Sequence, residues 1–148
     1  MKALVQRVHS AEVRVDDKKV GSIRNGLLVY LGIKKGDTTK EIEYLVNKII
    51  NLRVFEDDNG KMNHSLREVN GRILLVSQFT LYAKTKKGKR PDFTEAALPD
   101  EAKILFEEFS EMLNDEGFEP ETGVFGADMQ IESINDGPVN IIIEKNAE

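Results

Sequence analysis

The sequence predicts an α+β protein: a largely antiparallel, barrel-like β-sheet with two main helices packed on it. Three observations carry this reading. Segments in which β-branched and apolar residues alternate with polar ones outnumber helical segments and come in runs. Only two segments repeat apolar residues at the i, i+3, i+4 spacing of a helix. Strands in runs, rather than in strict alternation with helices, lead to an antiparallel sheet with segregated helices. At 148 residues the chain fits one domain, 1–148, and no repeat, low-complexity tract or linker divides it.

The elements follow in order. Val5, Val8, Val13 and Val15 fall in alternating runs, Asp16-Asp17 marks a turn, and Val20–Ile23 follows, so the first third reads as a β-meander. Asn25-Gly26 is a hairpin-turn signal. "LLVYLGI", Leu27–Ile33, is a nearly continuous apolar strand placed at the sheet centre. Thr38 and Glu41 have capping-box spacing, and Ile42, Leu45, Val46, Ile49 and Ile50 then form one face of a helix. "RVFED" reads as a short strand and "DDNG", 57–60, as a turn. "RILLVSQFTLYA", 72–83, is the strongest strand in the chain. A second helix begins near Pro99-Asp100, carries Ala102, Leu105, Phe106, Phe109, Met112 and Leu113 on one stripe, and ends before Gly117. Two strands, 127–134 and 138–144, finish the chain. Gly137 and Pro138 stand at the mouth of the second of these, before the run Ile141–Ile143, where a proline is tolerated only at a strand's first position or edge.

Composition narrows the function classes. Hydrophobic residues make up 40% and charged residues 32%, as in a soluble globular protein. No stretch reaches the apolar length of a membrane span, and the N-terminus alternates where a signal peptide would be continuously apolar, so a cytoplasmic protein is expected. Without cysteine there is no disulfide, thiolate metal site or cysteine nucleophile. With His9 and His64 as the only histidines, nitrogen- and sulfur-ligated zinc or iron is disfavoured, while oxygen-ligated Mg²⁺ or Ca²⁺ stays open. A net charge of −5 argues against nucleic-acid binding over the whole surface. The charge is uneven, however. Lys84, Lys86, Lys87, Lys89 and Arg90 cluster in "KTKKGKR", whereas 99–121 is strongly acidic.

Four stretches could carry chemistry. In "VSQFTLYA", Ser77, Gln78 and Thr80 put hydrogen-bonding side chains into an otherwise buried strand, either to satisfy neighbouring backbone or to floor a polar pocket. A serine or threonine nucleophile needs an adjacent base, and neither histidine stands in a triad context. In "GVFGADMQIES", Gly123 and Gly126 allow sharp bends, and Phe125 and Met129 suit either the core or a flat ring. The basic loop is either a solvated turn or a phosphate clamp; no glycine-rich phosphate loop is present. Gly137-Pro138 is either a plain strand-entry turn or a rigid presented edge.

"SQFTLYA" at 77–83 and "NDGPV" at 135–139 resemble the two signature motifs of the D-aminoacyl-tRNA deacylases. "MKALVQRV", "GLLVYLGI", "NLRVFEDDNGKMN", "KGKRPDF" and "ETGVFGADMQ" match as well, in order, so the resemblance spans essentially the whole chain. The family's second motif usually continues with threonine after "GPV"; this chain has Asn140. The resemblance implies a homodimer, no metal or other cofactor, and hydrolysis of the ester between a D-amino acid and the 3′ end of tRNA. It implies catalytic or positioning roles for Ser77, Gln78, Phe79 and Thr80, with assistance from the RNA's own 2′-OH. It implies a cis Gly137-Pro138 that reaches into the partner's pocket and rejects L-residues. By the same resemblance Phe125 and Met129 wall the terminal adenine, and Lys84, Lys86, Lys87, Lys89 and Arg90 meet the acceptor-stem phosphates. Since glycine has no side chain to reject, glycyl-tRNA, including tRNA-Ala mischarged with glycine, is expected to be hydrolysed too. Competing readings are a small-metabolite esterase using Thr80 or Ser77, a non-catalytic RNA-binding module, and the related archaeal editing domain that removes L-residues.

Overall fold

A computed structural model describes all residues, 1–148. Strand β1 (Lys2–Val15) is the spine of the sheet. Along one edge it pairs antiparallel with the last strand, β8 (Gln130–Glu144), from Lys2 opposite Glu144 to Arg14 opposite Gln130. It also pairs antiparallel with β3 (Gly26–Gly32) through its first half and with β2 (Lys18–Ile23) through its second. β2 and β3 therefore run in the same sense, end to end, and Asn25-Gly26 is not the hairpin turn the dipeptide signals. It is a bend between two strands, and Gly26 is needed because a Cβ there would collide with the Arg72 carbonyl oxygen. The predicted turn at Asp16-Asp17 does form, with both residues in the left-handed region.

β3 continues parallel to β6 (Arg72–Ser77), and β6 parallel to the short β7 (Glu121–Thr122). The sheet is thus mixed, with its long ladders antiparallel. Its two ends nearly meet: a Cβ on Gly21 of β2 would lie 2.6 Å from the Thr122 carbonyl oxygen, and the Ser22 N–H donates to Glu121 Oε1 at 3.4 Å. Inside this almost closed barrel pack Val8, Val13, Ile23, Leu28, Leu74 and Val76. The alternate residues Leu27, Val29, Leu31, Ile73 and Leu75 point outward and are covered by α1 (Thr39–Asn51) and α2 (Pro99–Asp115). Burial on both faces is why β3 and β6 read as continuous apolar runs.

Both helices form where the periodicity places them. The Thr38 hydroxyl accepts from the Lys40 N–H while Glu41 accepts from the Thr38 N–H at 2.6 Å, completing the capping box. Pro99 opens α2, and Gly117, with φ +91°, ends it. No helix is long and apolar enough to cross a membrane. Between α1 and β6, β4 (Phe55–Glu56) and β5 (Met62–His64) make a separate two-stranded ribbon around the expected "DDNG" turn.

Three predicted strands are redrawn. The strand 72–83 stops at Ser77: Gln78 makes the last bond, donating to the Leu31 carbonyl at 2.8 Å, and Phe79–Tyr82 is a 3₁₀ turn. Its neighbours end there as well, and Gly32 leaves space for Leu81 and the buried Tyr82 to fold back onto the end of β3. The two terminal strands are one. Gln6 faces Asn140 and Val8 faces Asn135, so the single residue Arg7 stands opposite a bulge made by Asp136–Val139. Gly137 and Pro138 lie at the exposed crest of that bulge.

Candidate active site

The early end of β6 shapes the site. Because the chain leaves the sheet after Ser77, Ser77, Gln78 and Phe79 face a cavity of about 830 Å³ rather than a neighbouring strand. The opposite wall is built by Phe125 and Met129, so five of the residues singled out from sequence come together. Phe125 is seated against Phe106 of α2, with ring centroids 5.8 Å apart. Met129 can lie where it does because residue 123 is glycine: a Cβ there would sit 2.5 Å from Met129 Sδ. Gly126, with φ +77°, turns the chain between these two walls.

Thr80 is not a cavity residue. It is exposed on the 3₁₀ turn, and its hydroxyl accepts a hydrogen bond from Gln78 Nε2. No histidine, aspartate or glutamate lines the cavity. His9 lies against Asp136 at 3.3 Å and His64 against Glu68 at 3.0 Å, both elsewhere. Tyr82 offers no base either: burial, and then the fields of Asp37, Glu144 and Glu95, raise its pKa far above neutrality. What the site does supply is backbone. The N–H groups of Phe79 and Thr80 open the 3₁₀ turn, where helical geometry provides them no partner. No three His, Cys, Asp or Glu side chains gather so as to hold a metal ion.

The other predicted residues fall outside this cavity. The Gly137-Pro138 bond is cis, and neither residue lines the cavity of its own chain. The bulge that carries them is fixed from beneath by Arg7, which is only 6% exposed. Arg7 donates to the Asp136 carbonyl at 3.2 Å and to the Val54 carbonyl at 2.7 Å, and pairs with the Asp136 carboxylate at 3.2 Å. Across the mouth of the bulge, Asn135 Nδ2 donates to Asn140 Oδ1 at 2.6 Å, while Asn135 Oδ1 accepts from the Val139 N–H at 3.2 Å. The basic loop is a surface turn closed by backbone bonds between Lys84 and Asp92. Lys84 is taken up by Glu95 at 3.2 Å; Lys86, Lys87, Lys89 and Arg90 are exposed and make no ion pair.

Several site residues were missed from sequence. Phe93, edge-on to Phe79 at 5.1 Å, and Leu98, exposed at the rim, line the cavity, as does Lys35. Arg7 had a readable signal. Met1, Ala3 and Val5 set the buried phase of β1, and Arg7 falls on it, so the sequence placed a cation where burial demands partners.

The model of the family described as D-Tyr-tRNA(Tyr) deacylase matches residues 4–144. The chain is 51% identical over 146 residues to the D-aminoacyl-tRNA deacylase of Thermotoga petrophila, covering 99% of this chain and 98% of that one. Among solved structures, a "c-Myc DNA Unwinding Element Binding Protein" superposes with a TM-score of 0.93 at 44% identity, over 99% of this chain and 100% of the other. A probable eukaryotic D-amino acid tRNA deacylase superposes with a TM-score of 0.80 at 18% identity, over 96% and 97%, and shares the fold. The family match leaves out only the extreme ends of the chain, and a relative identical at half its positions covers nearly all of it; the chain belongs to the D-Tyr-tRNA(Tyr) deacylase family.

Proposed function

We propose that the chain is a homodimeric editing hydrolase that cleaves the ester between a D-amino acid and the 3′ end of tRNA. The observation that carries this is the division of the site. No carboxylate or imidazole lines the cavity, the backbone N–H groups of Phe79 and Thr80 open the 3₁₀ turn beside it, and the Gly137-Pro138 bulge stands outside the cavity of its own chain. An aminoacyl ester is already activated, so positioning and an oxyanion site can suffice. The N–H groups of Phe79 and Thr80 receive the developing oxyanion. Ser77 and Gln78 orient the ester, and Thr80 acts through Gln78 rather than as the nucleophile. The 2′-OH beside the ester activates the attacking water, taking the place of the base the protein lacks.

Selectivity arises from the second copy. β8 has a free edge, and Ile134 and Ile142 are exposed on it, 58% and 67% respectively, which suits a two-fold contact that carries each bulge toward the other chain's cavity. The carbonyls of the bulge then hold the α-ammonium and crowd the direction an L side chain must take. A D side chain points out of the pocket, so its identity matters little, and glycine, with nothing to reject, is hydrolysed as well, on tRNA-Ala among others. Phe125 and Met129 hold the terminal adenine, and Lys86, Lys87, Lys89 and Arg90 meet tRNA phosphates. The test is deacylation of matched D- and L-tyrosyl-tRNA, with mass measured in solution. Rapid loss of the D-ester by a dimer, with the L-ester spared, is expected. Equal rates on both esters, or full selectivity in a monomer, refute the reading.

A further inference from the structure

The cavity is lined by 17 residues, 11 of them hydrophobic, and Lys35 is the one charged side chain among them. No carboxylate lies within ion-pair distance of Lys35, in contrast to Lys84 on the adjacent loop, which Glu95 takes; Asp92, whose carboxyl the field of Lys35 helps to hold low, stays beyond that distance. Its backbone is nonetheless firmly placed. The Lys35 N–H donates to the Glu95 carbonyl at 3.0 Å, and the preceding Lys34 N–H donates to Asp37 Oδ2 at 2.7 Å. Asp37 is itself buried against the Met1 ammonium at 2.9 Å. A flexible cation thus rises from a fixed turn onto the wall of an otherwise uncharged cavity.

We propose that Lys35 binds the phosphate on the 5′ side of the terminal adenosine, an inference that rests on the aminoacyl-tRNA reading above. The charges carried by any such substrate at its end decide this. The ester end brings an α-ammonium, which a lysine repels, and the adenine that Phe125 and Met129 would wall is neutral. The phosphodiester is the one negative group that every substrate of this class carries into reach of the cavity, whichever amino acid it bears. Binding it serves the ground state and the transition state alike, so Lys35 belongs to substrate affinity rather than to the chemical step.

The experiment uses the full chain as wild type, Lys35→Met and Lys35→Arg. NMR titration compares adenosine 5′-monophosphate with adenosine. The wild type should prefer the monophosphate by about ten-fold, the size of one partly exposed charge-assisted hydrogen bond. Lys35→Met should erase the preference while binding adenosine as before, and Lys35→Arg should keep most of it. In hydrolysis, Lys35→Met should raise KM for the D-tyrosyl ester of the monophosphate and leave kcat unchanged, with no effect on the D-tyrosyl ester of adenosine. Equal affinity of the wild type for monophosphate and nucleoside overturns the proposal. So does a loss shared equally by both esters, or one confined to D-aspartyl esters, where Lys35 would be reading the side chain. Should the wild type hydrolyse neither ester, the deacylase reading fails, while the titration still decides the role of Lys35.

Discussion

Replacing Arg7 by methionine tests whether the bulge at Asp136–Val139 is held from beneath. Methionine keeps the stem volume and removes the guanidinium. Lost with it are the bonds to the Val54 carbonyl at 2.7 Å and the Asp136 carbonyl at 3.2 Å, and the ion pair to the Asp136 carboxylate at 3.2 Å. A hydrogen bond from a charged group is worth about 1.5–3 kcal/mol, and removing one partner of a buried pair costs about 3–5 kcal/mol because the other is stranded. The second figure must be discounted here. The Asp136 side chain is 36% exposed and recovers water, and a desolvated guanidinium no longer has to be accommodated. The expected net loss is about 2–3 kcal/mol, a fall in Tm of roughly 5–10 °C for a domain of this size. Function should suffer more selectively. With the bulge loosened, the rate on D-tyrosyl-tRNA should fall and the rate on L-tyrosyl-tRNA should rise, narrowing their ratio by about ten-fold or more, as misplacement by an ångström does. Calorimetry and paired deacylation assays measure both. A loss below about 0.5 kcal/mol, within the range of an ordinary surface substitution, or an unchanged D/L ratio in a folded variant, refutes the reasoning.

Three further outcomes follow from the same geometry. Gly123→Ala puts a methyl group 2.5 Å from Met129 Sδ and must displace that side chain; KM for D-aminoacyl-tRNA should rise several-fold while the fold survives, by circular dichroism and steady-state kinetics. Reversing Lys86, Lys87, Lys89 and Arg90 to glutamate should weaken tRNA binding and flatten its dependence on salt by roughly 0.7–0.9 in slope for each phosphate left without its cation, and an unchanged slope makes the loop a plain surface turn. Burial raises the pKa of Glu41, but hydrogen bonds from the Thr38 N–H and hydroxyl outweigh this and leave it lowered. A lowered folded pKa means the contribution is present above the unfolded value of roughly 4.3 and is lost as pH falls through the folded one. Glu41→Gln should therefore cost about 1 kcal/mol at neutral pH and nothing below both values, by denaturant titration across that window.

What could be read from the sequence was whatever local pattern or buried phase decides. The capping box at Thr38 and Glu41, both apolar helix stripes and the two-sided burial of β3 follow from spacing alone. Asn25-Gly26 misled because the dipeptide records a close approach of chains, Gly26 against Arg72, and not a turn. The strand 72–83 was drawn too long because its apolar run continues past Ser77, while the strands that could pair with it do not. Ser77, Gln78, Phe79, Phe125 and Met129 were recognisable as polar or soft residues in buried surroundings. Phe93 and Lys35 were not, since only the folding of 93–97 against Ile33–Lys35 brings them to the cavity, and nothing in their neighbours along the chain announces that pairing.

Asn140 has a physical role at the neck of the bulge. The bulge sets four residues, Asp136–Val139, against Arg7 alone, so the ladder is broken at that point and backbone groups on both sides need other partners. Asn135 supplies one of them, its Oδ1 accepting from the Val139 N–H, while its Nδ2 donates to the side-chain carbonyl of Asn140. A side-chain clasp therefore closes the neck at the level where β1 and β8 resume their pairing, Gln6 to Asn140. The carbonyl of asparagine lies one bond further from the backbone than the hydroxyl of threonine and has no competing donor role, so it can reach Asn135 across the neck as a pure acceptor. Arg7 fixes the base of the bulge and the two asparagines fix its neck. The crest between them, Gly137-Pro138, is thereby left exposed but not free to swing, as a backbone edge must be if it is to discriminate by its position alone.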